Sequence, residues 1–530
     1  MYQHMCCRTC PRRSLCNAMA CLLGIDTSTT ATKALLVDEH GRVLAVSSSE
    51  YGYDTPRPQW TEQDPELWWQ ATISTVRAVL QQAQVNAADI AAVGLTGQMH
   101  GLTLLDAHGA VIRPCILWND QRTAVQCAAI TQAVGAARVL QLTGNPALTG
   151  FTAPKLLWVR EHEAHNYARI GKVLLPKDYL RYKLTGEYFG EVSDASGTSL
   201  FDVGRRAWSA EMLQALQIPR AWLPEVSESP VVTARISAAA AQLTGLLAGT
   251  PVVGGAGDQA AQGVGAGIVS EGLVSATLGT SGVVFAASST YRVEPQGRLH
   301  AFCHAVPGMW HLMGVMLSAA GSLRWYRDTL GQPEQQAAAA AGRDVYELLT
   351  ESAAGVAPGC EGLLFLPYLT GERTPHPDPD ARGAFVGITV RHGKAHLTRA
   401  VLEGVSYGLC DSLQLLRALQ IEPAQVRASG GGARSALWRQ MLADIFGTEI
   451  ATINVAEGAA FGAALLAGVG AGIFADVAQA AQATIKVTEQ VTPGAGAAAY
   501  ARYYPRYQAL YPALAAEFAA LAALARADPA

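Results

Sequence analysis

The chain has 530 residues, half of them hydrophobic and 15% charged, with a formal net charge of −4. That length exceeds one ordinary core, so two domains of roughly 200 to 250 residues are expected with a ligand cleft between them, and the composition excludes a disordered or collagen-like chain. Lys and Arg are thinly spread and no uninterrupted apolar run reaches about 18 residues, so neither a basic stripe for nucleic acid nor a membrane span is offered, and a soluble protein is expected.

Five of the ten cysteines lie in the first 21 residues, and Cys115, Cys127, Cys303, Cys360 and Cys410 stand singly. Scattered single cysteines fit a reducing, cytoplasmic setting. Cys7 and Cys10 have the C-x-x-C spacing of a metal or redox pair, yet no second such pair or histidine pair completes a site. Residues 1–20 read instead as an extension outside the fold, with Met19 a candidate true start. Arg8, Arg12 and Arg13 are not followed by the apolar segment a secretory signal needs.

Along the chain, apolar runs at 22–26, 34–37 and 43–46 are separated by polar and turn residues and predict a three-stranded antiparallel meander. Asp64 and Pro65 open a helix in which Trp69, Ile73, Val76 and Leu80 recur at helical spacing. A strand at 92–95 follows. Strands and a helix in this order open an α/β domain whose ligand loops lie at strand ends. The second half repeats the pattern, with a strand ending at Gly255, a strand-turn-strand unit over 272–285, a strand near Val426 and a helix over 435–446. A domain boundary is placed near Gly249, giving 21–249 and 250–530. Asp26-Thr-Ser-Thr29 and Leu278-Gly-Thr-Ser281 echo one another faintly, a hint of a duplicated fold.

Five constellations suggest chemistry. Thr29, Thr30 and Lys33 in one turn, and Gly279, Thr280 and Ser281 in another, are candidates for binding an anion through hydroxyls and backbone N–H groups; each taken alone also reads as an ordinary hairpin turn. Asp26 and Asp258 are acids at the ends of apolar strands, and phosphoryl transfer needs a carboxylate to orient and deprotonate the attacking hydroxyl. Asp258 follows Gly254-Gly-Ala-Gly and equally reads as a helix cap. Gly430-Gly-Gly-Ala-Arg434 offers room for a nucleotide base and ribose or for close helix packing, and is neither a Walker loop nor a dinucleotide fingerprint. In Gly97-Gln-Met-His-Gly101 a polar edge and a soft apolar contact stand side by side, as a sugar requires, while a histidine bound to a backbone carbonyl is the structural alternative.

Together these segments resemble the FGGY carbohydrate kinases, from about residue 22 to the region of Gly468. The likeness rests on residues 26–33 and 96–101, Ile116-Leu-Trp-Asn-Asp-Gln-Arg122, Phe151-Thr-Ala-Pro-Lys-Leu-Leu-Trp158, Leu174-Leu-Pro-Lys-Asp-Tyr179, Gly257-Asp258, 278–283, Phe365-Leu-Pro-Tyr-Leu-Thr-Gly-Glu-Arg-Thr-Pro375 and 430–434. The resemblance implies an α/β protein of two actin-like (ribonuclease H-like) ATPase domains flanking a central cleft, closing on a sugar and Mg-ATP. It implies Asp258 as the base and Met99 and His100, with Asp258 and Trp118, as the sugar side. It implies Asp26 as the metal and phosphate organiser, Thr29, Lys33, Gly279 and Thr280 at the phosphates, and Gly431, Gly432 and Ser435 at adenosine. D-xylulose is the expected acceptor, with ribulose, rhamnulose, gluconate and glycerol as alternatives. An actin-like nucleotide switch is the reading from another class. The expected partners are the ketose and ATP, with no nucleic acid and no membrane, and a homodimer is the candidate assembly.

Some positions depart from the pattern. Ser28 and Ala31 stand where the family's first loop carries glycines, and Gln259 follows the base where Asn is frequent. Glu372 and Arg373 either bring charge to the cleft or form an ion pair that holds a proline-rich loop.

Overall fold

The computed structural model describes residues 20–527. Cys6, Cys7, Cys10 and Cys16, with the expected extension, lie outside them. The meander forms as read: β1 (Cys21–Thr27), β2 (Ala31–Asp38) and β3 (Val43–Glu50) pair antiparallel in turn. Helix α1 (Pro65–Ala83) begins where Asp64 accepts the Glu66 amide at 2.9 Å. β4 (Ile90–Gly97) then joins β1 in parallel. After α2 (Thr152–His162), β5 (Val232–Arg235) and β6 (Pro251–Val253) extend this sheet to the order β5-β6-β4-β1-β2-β3. The short strand Ala256–Gly257 also pairs with β4, and α3 (Asp258–Gly265) starts from its end.

The second sheet is built from β7 (Leu273–Leu278), β8 (Gly282–Ser288), β9 (His300–Cys303), β10 (Trp310–Met316), β11 (Gln425–Ser429), β12 (Glu449–Ile453) and β13 (Val487–Val491), in the order β9-β10-β8-β7-β11-β12-β13. β1 lies between an antiparallel β2 and a parallel β4, and β7 lies between an antiparallel β8 and a parallel β11. The faint echo between residues 26–29 and 278–281 is therefore structural, because both segments turn the same hairpin in equivalent sheets.

Two helices form the seam between these sheets. α3 and α6 (Gly458–Gly470) touch backbone to backbone, since a Cβ on Gly265 would strike the Gly458 carbonyl and one on Gly462 would strike that of Ala261. α6 also rests on β1 and β4, with Gly24 under Ala460 and Gly94 under Ala463. The division near residue 249 is thus one of chain order, and a late helix completes the cover of the first sheet.

The last helix, α7 (Ala497–Ala527), is long and apolar enough by length and composition to cross a membrane. It carries Pro505 and Pro512, and Tyr500, Tyr507 and Phe518 are buried against the second core. Cys115, Cys303, Cys360 and Cys410 are buried and, like the half-buried Cys127, are free thiols.

Candidate active site

Parallel strands present their carboxyl ends on one side of a sheet, and that register assembles the site. Asp26 pairs with Thr96, Thr27 with Gly97, and Gly97 in turn with Gly257. The segments that leave these positions therefore emerge side by side: the first turn after Asp26, Gln98 to Gly101, and Asp258. A Cβ on Gly257 would come within 2.9 Å of Met99 Cγ, so Met99 packs directly against the residue before Asp258. Asp258 is the first residue of α3 and Gly257 holds the cap position, so the capping alternative for the acid does not hold.

His100 sits at φ 69°, and the Gly101 amide donates to the Met99 carbonyl at 2.9 Å across it. Its Nδ1 lies 2.7 Å from the Gly197 carbonyl. With Nδ1–H donating there, Nε2 is the acceptor. The imidazole stacks on Phe151 with ring centroids 4.3 Å apart, and Phe302 closes from β9 at 6.2 Å. Burial drives His100 down to about 3, so it stays neutral. The histidine bound to a backbone carbonyl is what the structure shows, and that bond leaves Nε2 as the ring nitrogen able to accept. Met99 is buried and supplies the floor.

At the first turn, Thr29 Oγ1 accepts from Trp118 Nε1 at 2.9 Å and donates to Gln98 Oε1 at 3.2 Å. Trp118 therefore stands at this turn, while Arg122 holds Asp120 and Glu62 beneath it. Lys33 is not free: its ammonium meets Glu457 at 2.8 Å, at the start of α6. Asp26 Oδ1 is buried and has no hydrogen-bond partner among the described residues. Burial, opposed by Lys33, raises Asp26 to about 6. Burial first, and the charge of Asp26 second, raises Asp258 to about 7.

A cavity of about 490 Å³ lies at the ends of β7 and β11. Gly279, Thr280, Gly431, Gly432 and Ser435 line it, as the sequence led one to expect, together with Trp438 from α5 (Ala436–Phe446). Gly430, at φ 84°, approaches so closely that a Cβ would lie 2.6 Å from the Leu278 carbonyl. The two sites are linked through α3: Asp258 opens the helix and Gln262, one turn on, donates to Thr277 Oγ1 of β7 at 3.2 Å. Thr277 in turn meets Ser429 Oγ at 3.1 Å.

Sequence reasoning missed several neighbours. Arg324, Asp344 and Glu347 line the nucleotide-sized cavity from elements with no motif of their own. Arg373, for which charge in the cleft was one of two expectations, lies near enough for its charge to help lower both His100 and His300. Its neighbour Glu372 makes no ion pair among the described residues and instead accepts the Leu317 amide at 2.9 Å and the Arg373 amide at 2.7 Å. Lys155, buried in α2, donates to the His100 carbonyl at 3.0 Å, and the signal available for it was a lysine inside an otherwise apolar helical stretch.

Comparison with known proteins shows the family. The model of the FGGY family of carbohydrate kinases, N-terminal domain, matches residues 21–265, and that family's C-terminal domain matches residues 274–471. The xylulose kinase of Escherichia coli (strain K12) is 46% identical over 428 residues, 81% of this chain and 85% of that protein. A crystal structure of a xyloylose kinase from Brucella ovis is 41% identical with a TM-score of 0.85, covering 94% of this chain and 99% of that one. The xylulose kinase structure from Rhodospirillum rubrum is 32% identical with a TM-score of 0.87, again covering 94% and 99%.

Proposed function

Since the chain belongs to the FGGY family of carbohydrate kinases, we propose that it transfers the γ-phosphoryl group of ATP to the terminal hydroxyl of D-xylulose, with Asp258 as the base. The observation that supports this reading is the Gly97 to Gly257 pairing, which brings out side by side the segments that lead to His100 and to Asp258, while a glycine-lined cavity lies at the strand ends of the second sheet.

In this mechanism the sugar lies between Met99, His100 and Trp118, and His100 Nε2 accepts from a sugar hydroxyl. Asp258 takes the proton of the terminal hydroxyl while its oxygen attacks the γ-phosphorus; the bond from that phosphorus to the bridging oxygen breaks, giving ADP and D-xylulose 5-phosphate. A carboxyl held at about 7 is matched to that task at neutral pH. Amides and hydroxyls of the turns at Thr29 and at Gly279 and Thr280 hold the phosphates, Lys33 exchanges Glu457 for phosphate oxygen, and Gly431, Gly432 and Ser435 hold adenosine. Closure of the two halves excludes water that would compete as acceptor.

The unpartnered oxygen of Asp26 fits a hard divalent cation. No group of three or more His, Cys, Asp or Glu gathers among the described residues, which suits Mg²⁺, an ion that keeps waters and phosphate oxygens and needs few protein ligands. When bound through Asp26, Mg²⁺ neutralises phosphate charge. The working partners are small molecules, in the cytoplasm, with no nucleic acid and no membrane; a homodimer is the proposed assembly.

A coupled ADP-release assay at fixed ATP tests the reading with D-xylulose, ribulose, rhamnulose, gluconate and glycerol. The highest kcat/KM is expected for D-xylulose. A higher value for any other acceptor, or ADP release that ignores sugar, overturns it.

A further inference from the structure

The histidine at the sugar side occupies a costly piece of backbone. A three-residue turn closed by the Gly101 amide on the Met99 carbonyl, with its central residue at φ 69°, is a rare and strained conformation for a residue other than glycine. Such a turn persists only where its surroundings hold it.

Those surroundings come from one turn of α2. Thr152 Oγ1 and Lys155 Nζ each donate to the His100 carbonyl at 3.0 Å. Residues three apart share a helix face, so both donors point at the same acceptor. Phe151, at the cap position of the same helix, stacks on the imidazole. Lys155 has no exposed surface, and among the described residues its ammonium has this single hydrogen bond. Burying an amine for one carbonyl serves no general packing purpose that a methionine of similar volume would not serve better. Burial pushes the Lys155 amine down to about 7, and charged or neutral it still donates.

We propose that Lys155, together with Thr152, is a positioning residue for the sugar: the two donors on the His100 carbonyl hold the strained turn and thereby aim the imidazole at the acceptor hydroxyls. This rests on the reading of His100 as a sugar contact. Neither donor reaches the nucleotide cavity, so the turn controls ketose affinity separately from ATP affinity.

The test compares Lys155→Met, Thr152→Val, Thr152→Ser, their double Met/Val combination and His100→Ala in the full-length enzyme. Lys155→Met is expected to raise KM for D-xylulose about 10-fold or more, as loss of a donor to a buried carbonyl implies. KM for ATP and affinity for a non-hydrolysable ATP analogue by calorimetry should stay within about twofold. Thr152→Val should act in the same direction and Thr152→Ser, which keeps the hydroxyl, should restore the parent value. The double variant should fall short of the product of the singles, because both act through one carbonyl. A purely structural role would instead lower thermal stability and the active fraction with both KM values unmoved. The proposal falls if His100→Ala raises ketose KM while Lys155→Met and Thr152→Val leave it unchanged. Should Lys155→Met fail to fold, the Val and Ser pair at Thr152 decides. If His100→Ala itself leaves ketose KM unchanged, the sugar-site reading fails, and that failure is distinct.

Discussion

Asp26 and Asp258 stand at strand ends two positions apart in the same sheet, close enough that the charge on Asp26 helps to keep the proton on Asp258. On the proposed mechanism the pair bears on both the pH behaviour of the reaction and the stability of the ligand-free protein.

If Asp258 is the base, as proposed, only its carboxylate is competent. kcat/KM for the sugar is expected to rise with pH, with a midpoint at about 7, and to level off above it. Replacing Asp258 by Ala should lower kcat by about 100-fold or more, the usual range for a general base. A pH profile and steady-state kinetics check both, and a variant that retains more than about a tenth of the activity rules the assignment out.

For stability the sign is opposite. Asp258 is raised above its ordinary value in the fold, so the folded state holds its proton more tightly than the unfolded chain. Stability should therefore fall as pH rises from about 4 to about 7. Asp258→Asn removes that cost, so its Tm at pH above about 8 should exceed the parent's by about 2–4 °C. Calorimetry at acidic and alkaline pH measures the difference, which should vanish in acid.

Lys33 and Glu457 join the first sheet to the start of α6 through a partly exposed pair. Such pairs contribute about 0–1 kcal/mol, so Glu457→Gln should barely move Tm. If Lys33 exchanges Glu457 for phosphate, Glu457→Gln should lower KM for ATP a few-fold and Lys33→Met should raise it. Initial rates against ATP separate the two outcomes.

Gly430 and Gly431 adjoin but should respond differently. A Cβ at Gly430 meets the Leu278 carbonyl at 2.6 Å with φ at 84°, whereas a Cβ at Gly431 meets nothing within 4 Å. Gly430→Ala should cost roughly 1–3 kcal/mol of stability. Gly431→Ala should fold normally and express its effect through KM for ATP alone. Thermal melts beside nucleotide kinetics test the contrast.

Much of the architecture was legible in the sequence because it is written in local patterns. Alternating and continuous apolar runs marked β1 to β4, and Asp64 with Pro65 marked the start of α1. The turns at Thr29 and Gly279 and the glycines at Gly430 to Gly432 fell where they were expected. α6 was not read as cover for the first sheet, because an Ala- and Gly-rich helix carries no mark of which surface it will meet. Glu457 and Lys33 are separated by hundreds of residues, and no local pattern pairs them.

By itself the sequence determined the element types, the family resemblance and a set of candidate chemistry-bearing residues, since propensity, turn composition and motif spacing are properties of neighbours along the chain. Only the tertiary structure decided that Gly97 and Gly257 end side by side, that Lys155 and Thr152 hold the turn at His100, and that Lys33 is engaged by Glu457. Strand register and helix docking bring residues from distant parts of the chain within hydrogen-bonding distance, and the energy of those contacts depends on burial and geometry that no stretch of neighbouring residues encodes.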